Sequence, residues 1–309
     1  MKTIKTIKGE EKEERGEGEK KKKSFIVMIH EKNIPIYALV LFFVLFIITR
    51  SAIFAILTGI SLVAIFVIDI LAGVKTYGLM NEIKEIVIAA VIALVFIYSL
   101  TFFLNTPAPV SAIVSCSLLP HYERGDMIIL QGVKLEDINA PTVELTQGEF
   151  NEIYGKSHPR CSSIGVIEYV CSECTRISVT TKQFIKISNC TREIDIKGQK
   201  IYENFSNDVI VYEPILLNGE KWGGDIIHRV FAKLKVGDKY FLLTKGDNND
   251  VFDATVFNII DESHVKGKVI LRIPVLGYLK LFLSGAIQDP QFFFDPAGCE
   301  MIYEHTKQK

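Results

Sequence analysis

The chain has 309 residues, 49% of them hydrophobic, and its 35 Lys and Arg nearly balance its 36 Asp and Glu. That length suits one or two domains, and a net charge of −1 offers no basic face, which argues against a nucleic-acid partner. Residues 1–33 hold ten Lys or Arg and seven Glu, with no large apolar cluster before Phe25. So polar a segment buries too little to fold alone and is expected as a solvated cytoplasmic tail. It is too long and too acidic for a secretory leader.

Three apolar runs follow: "IPIYALVLFFVLFIIT" (34–49), "SAIFAILTGISLVAIFVIDILAGV" (51–74) and "IVIAAVIALVFIYSLTFFLN" (86–105). Arg50 breaks the first from the second, and the polar "KTYGLMNEIKE" (75–85) separates the second from the third. A membrane span takes about 20 apolar residues. The second and third runs meet that, and the first is marginal at 16. Residues 34–105 are therefore expected as an anchor of two or three transmembrane helices, with a tight turn at Arg50–Ser51 if there are three. Lys and Arg crowd the tail, and the 75–85 stretch carries Lys75 and Lys84, whereas only Arg50 marks the opposite end. By the positive-inside bias the tail and the 75–85 stretch are cytoplasmic. With three spans the chain is then expected as a multi-pass cell-membrane protein whose remainder faces outward; with two, the same bias leaves the side open. Asp69 lies about a turn and a half from Lys75. A lone carboxylate there is expected to pair or snorkel, since an intramembrane aspartyl protease needs two.

From residue 106 the texture changes to short apolar runs separated by Gly, Asn, Asp and Pro: "MIILQG", "IGVIEYV", "FIKIS", "DVIVYEP", "DIIHRVFAKL", "YFLLT" and "GKVILRI". Runs of this length and spacing indicate a mainly-β domain, placed at 106–290, with a tail at 291–309. Cys161, Cys171, Cys174 and Cys190 crowd one stretch of it, inside a segment at about 133–222. Disulfides are the default for an outward domain; zinc is the alternative, although the usual paired knuckles are missing. Two glycosylation sequons, Asn189-Cys-Thr and Asn204-Phe-Ser, also fit an outward domain.

Chemistry enters at "SCSLLPHYERGDMIIL" (115–130). A serine hydroxyl becomes a nucleophile only beside a base. Of the histidines at 158, 228 and 264, only His228 sits in a strong strand pattern, "GGDIIHRVF". Downstream, "LTKGDNNDVFD" carries Asp247, Asp250 and Asp253, and a carboxylate there is able to hold the imidazole Nδ1–H. Residue types alone make this a weak signal. "SCSLLP" with a following "GD", then "GDIIHRV", "TKGDNN" and "VKGKVILRIPVLGYLKLFL", stand in the order of the type I signal peptidases. They are most similar to the archaeal and endoplasmic-reticulum branch, whose pattern is S-x-S-M-x-P-x4-G-D, a histidine before arginine, and K-G-D-N-N with a later aspartate. The resemblance covers about half of residues 106–285.

The resemblance implies a signal-peptidase-like β fold and a serine endopeptidase that removes N-terminal signal peptides from secreted and membrane preproteins. Small residues are expected at the first and third positions before the cut. Ser117 matches the nucleophile, His228 the general base, Asp253 the aspartate assigned to that histidine, Asp247 a second aspartate, and Ser115 an oxyanion-hole serine. Expected partners are preprotein signal peptides, the lipid bilayer and the secretion translocon. Neither cofactor nor metal is implied. Leu118 stands where methionine is usual, a swap tolerated if the side chain only packs. Cys116 replaces a common glycine. These departures leave a non-catalytic membrane-anchored binding or assembly module as the alternative. Pro107 and Pro109 discourage helix between Asn105 and Ser117, so Ser117 stays within about 40 Å of the bilayer. The run "IPVLGYLKLFL" (273–283) is too short to span and either dips into the interface or is buried core.

Overall fold

The hydrophobic runs near the N-terminus become three helices: α1 (Ile34–Thr49), α2 (Ala52–Tyr77) and α3 (Leu79–Phe103). They belong to a computed structural model that describes residues 32–49, 52–179, 181–283 and 300–303. Most of the charged tail, the turn expected at Arg50–Ser51 and most of the C-terminal tail fall outside these residues. Among the described residues two helical stretches, Leu57–Tyr77 and Leu79–Phe103, are long and apolar enough to cross a membrane. At 16 residues, α1 is about 24 Å long, short of a ~30 Å hydrocarbon core unless that core thins. Along α3, Val91, Ile92, Val95 and Phe96 are all exposed. Such a surface suits lipid tails as solvent rather than water.

The polar stretch 75–85 is not the loop that its composition suggests. Helix runs up to Tyr77 and resumes at Leu79, and the reversal falls on Gly78 at φ +85°. Glycine reaches that conformation without a Cβ penalty, while the flanking Lys, Met and Glu are good helix formers. Close approach across the reversal depends on Gly73, where a Cβ would sit 1.8 Å from the buried Glu82 carboxylate.

Beyond the anchor the chain forms two sheets. Its elements are β1 (Val110–Ala112), β2 (Met127–Gln131), β3 (Thr142–Leu145), α4 (Gln147–Ile153), β4 (Ser163–Ile164), β5 (Ile167–Ser178) and β6 (Phe184–Ile196). Then come β7 (Gln199–Tyr202), β8 (Val209–Tyr212), β9 (Ile226–Val236), β10 (Lys239–Lys245), β11 (Val265–Ile273), α5 (Gly277–Leu283) and β12 (Glu300–Tyr303). The larger sheet runs β1-β2-β11-β8-β9-β10, with β3 joining β9 in parallel, and the smaller runs β12-β5-β6-β7 with β4 on β5. Between them lies an apolar core that includes Ile167, Ile194 and Ile196 from the smaller sheet and Phe231 and Leu234 from the larger. The β5–β6 hairpin fills much of the segment at 133–222. Two disulfides, Cys161–Cys171 and Cys174–Cys190, staple it, so those four sulfurs are not thiolate ligands for zinc.

Two segments differ from a plain reading of the sequence. Residues 300–303, counted with the tail, pair antiparallel with β5 from Glu300↔Ser178 to Tyr303↔Thr175; a neighbouring strand edge, not any alternation in "EMIY", makes this a strand. In "IPVLGYLKLFL", among the described side chains, Tyr278 and Leu281 of α5 are buried and pack with Phe46 of α1 and Ala112 of β1. The Phe46 and Tyr278 rings meet edge to face at 5.0 Å. This segment joins the β domain to the anchor.

Candidate active site

The serine segment leaves β1 and returns to β2 as an excursion closed at its neck. Ile113 N–H donates to Asp126 O at 2.9 Å and Gly125 N–H to Ile113 O at 2.8 Å. Gly125 adopts φ +89° and lies so close to Tyr278 that a Cβ would come within 1.9 Å of its ring. The buried Asp126 accepts from Glu123 N–H at 2.7 Å, and Arg272 Nε lies 2.6 Å from its carboxylate. Leu118 is 1% exposed and packs among Ile113, Ile128, Leu130, Val209 and Val211. In place of methionine, then, leucine serves as an apolar plug, and it fixes the residue before it. The Ser115 and Ser117 hydroxyls are hydrogen-bonded to each other at 3.0 Å.

The turn after β10 forms the floor beneath Ser117. Asn248 N–H donates to Ser117 O at 2.7 Å, and its side-chain amide donates to Cys116 O at 2.9 Å. Gly246 permits this contact, since a Cβ there would lie 2.6 Å from Ser117 O. Asn248 Oδ1 also accepts Ile302 N–H of β12 at 2.7 Å. Cys116 is disulfide-bonded.

His228, from β9, is 6% exposed, and its Nδ1 lies 2.7 Å from Asp253 Oδ2. Asp253 opens a short 3-10 turn, Asp253–Thr255, and is itself buried. With Nδ1–H donated to the carboxylate, Nε2 is left as the acceptor. Asp247 is engaged differently. Arg229 Nε and Nη2 grip its two oxygens at 2.8 and 2.7 Å, and Arg229 Nη1 donates to Phe205 O and Asn207 O at 2.7 and 2.6 Å. His121 Nδ1 lies 3.0 Å from Asp247 Oδ2, and its ring stacks on Phe205 at 4.3 Å. Asp250 lies apart, between Arg160 and Arg176.

The five residues singled out in the sequence thus fall into three groups. Ser115 and Ser117 share one loop, His228 and Asp253 form a buried pair, and Asp247 anchors Arg229, the residue after the histidine. The adjacent strands β9 and β10 connect these groups, with Lys245 opposite Arg229 in register and the turn under Ser117 following directly. Among the described residues no hydrogen bond joins Ser117 to His228. Catalytic hydrogen bonds often tighten only around substrate. Sequence reasoning passed over Arg229, Asn248, Tyr212 and Thr244. The "HRV" and "GDNN" strings contain the first two, but Tyr212 and Thr244 lie in "VIVY" and "LLTK", which read as core strands.

No profile of a known protein family matches the chain. Direct sequence similarity links part of the chain to catalytic subunits of the signal peptidase complex. Over 85 residues the chain is 33% identical to the signal peptidase complex catalytic subunit SEC11 of Metarhizium acridum, covering 26% of this chain and 49% of that one. The corresponding subunits of Metarhizium robertsii and Pyricularia oryzae are 34% and 32% identical over the same length, with the same coverage. The chain spans about half the length of the curated relatives it matches.

Proposed function

We propose that the chain is a membrane-bound serine endopeptidase that removes signal peptides from preproteins on the extracytoplasmic side, nearest in type to the archaeal and endoplasmic-reticulum branch. The observation that carries this reading is the buried His228–Asp253 pair at 2.7 Å, in the sheet whose β10 turn also holds the Ser117 loop. In this mechanism His228 Nε2 takes the Ser117 hydroxyl proton as Oγ attacks the scissile carbonyl. The Ser115 hydroxyl and the Ser117 N–H meet the developing oxyanion. The imidazolium then protonates the leaving amine as the C–N bond breaks, and a water activated by the same nitrogen hydrolyses the acyl-enzyme. Asp253 stays ionised and holds the tautomer. Asp247 acts through Arg229, fixing strand β9 and the turn beneath Ser117.

Substrates are exported chains whose cleavage sites emerge at the bilayer surface, and the translocon is the natural neighbour of such an enzyme. The β domain spans about 106–290, with the stapled hairpin as its added part. The test is direct. Detergent-solubilised protein incubated with a preprotein should release the mature chain at one mapped bond after small residues, and Ser117→Ala should not. Absence of cleavage by the wild-type protein across several preproteins would favour the non-catalytic assembly module.

A further inference from the structure

Asp253 Oδ2, the oxygen that meets His228, has two more donors. The Tyr212 hydroxyl donates to it at 2.8 Å and the Thr244 hydroxyl at 2.6 Å, beside His228 Nδ1 at 2.7 Å. The three come from three adjacent strands, β8, β10 and β9, and all are buried. Tyr212 is wholly enclosed, and the two hydroxyls lie 3.3 Å apart. A carboxylate out of contact with water stays ionised only if donors or cations replace its hydration. The cations on the neighbouring elements are committed elsewhere. Arg229 of β9 is bound to Asp247 of the turn, which also faces His121, and Lys245 of β10 lies 2.6 Å from Glu203. Two neutral hydroxyls therefore share with the imidazole the task of solvating Asp253.

We propose that Tyr212 and Thr244 are positioning residues for the catalytic base: their hydroxyls orient the Asp253 carboxylate, share its charge and so set how tightly His228 holds a proton. This rests on the reading of His228 as the base. Tyr212 suits the role, because burial, and after it the Asp253 charge, push its phenol well above the usual value and keep the donor protonated. The direction of the effect follows from the shared oxygen. Each hydroxyl donor draws off charge that would otherwise stabilise an imidazolium. Removing one leaves the His228–Asp253 pair holding its first proton to higher pH.

The experiment compares wild type with Tyr212→Phe, Thr244→Val and Thr244→Ser. Preprotein cleavage is followed as a function of pH, and the His228 imidazole is titrated by NMR in the same detergent. Tyr212→Phe and Thr244→Val should each move the imidazole midpoint and the acid limb of kcat upward by about one unit, the lower end of what a hydrogen bond to a charged group is worth. They should lower kcat with KM unchanged, and Thr244→Ser should restore both values. Unmoved midpoints in both variants, with only melting temperature lowered, would reduce the two residues to core packing and overturn the inference. The two readings fail separately. A wild-type protein that cleaves no preprotein defeats the proposed function, while the NMR midpoints still decide whether Tyr212 and Thr244 tune the pair.

Discussion

Ser117 and His228 act in the proposed mechanism as a single unit, because the hydroxyl is inert until the imidazole takes its proton. Ser117→Ala and His228→Ala should each lower kcat by several orders of magnitude, and the double variant should lose little more. Single-turnover cleavage checks this; additive losses would show independent roles. The two aspartates separate by what they hold. Asp253→Asn keeps the packing but presents an amide to His228 Nδ1, so kcat should fall roughly a thousandfold or more while the fold persists. Asp247→Asn leaves the buried Arg229 without its counter-charge, a change of about 3–5 kcal/mol in stability. Thermal unfolding and kinetics on both variants distinguish the losses. A third residue effect concerns folding alone. Burial lowers the pKa of His158, whose Nε2 lies 3.1 Å from Ile153 O. Because its folded value lies below the unfolded value, the unfolded chain binds more protons as pH falls through that value. His158 therefore contributes stability at neutral pH that is lost on acidification. Denaturant midpoints at pH 5 and 7.5 should differ less in His158→Gln than in wild type.

Among the elements, legibility followed local physics. The long apolar helices and the β texture after residue 106 are written in hydrophobic runs, and the motif-bearing turns in Gly, Asp and Asn. What stayed hidden depends on partners distant in sequence. Glycine at 246 looks like turn chemistry until Ser117 O is seen to occupy the space of its absent Cβ, and "EMIY" becomes a strand only because β5 has an open edge. Tyr212 and Thr244 belong to the same class, since nothing local distinguishes a core hydroxyl from one on a carboxylate. The stapled hairpin was visible as a cysteine cluster, but its pairing was not. Each bridge closes a short loop, 10 residues for Cys161–Cys171 and 16 for Cys174–Cys190. Replacing either pair by serine should therefore cost about 3 kcal/mol in a chain-entropy estimate. Calorimetry of the paired-serine variants measures that, and an unchanged melting temperature for both would show that the hairpin folds without its staples.

At the scale of the molecule, the contacts between anchor and domain bear on how the chain crosses the bilayer. Phe46, near the C-terminal end of α1, touches Tyr278, and Leu104, just past α3, accepts Gly132 N–H at 2.8 Å. The end of α1 and the end of α3 therefore both lie against the β domain. Helix α2 starts beside the end of α1, and the α2–α3 reversal at Gly78 falls at the far end of the bundle, as does the start of α1 near Asn33. Lys75 and Lys84 flank that reversal, and Lys32 precedes α1. From the positive-inside bias we propose that this end, opposite the domain, is the cytoplasmic one. In that proposed orientation helix α1 crosses despite its 16 residues, with local thinning of the bilayer making up the difference. Single cysteines placed at 32 and 80 should react with a membrane-impermeant maleimide only after the membrane is opened. One at exposed Gly155 should react in intact cells. Labelling of 32 and 155 from the same side would leave α1 lying on the surface and reduce the anchor to the α2–α3 hairpin.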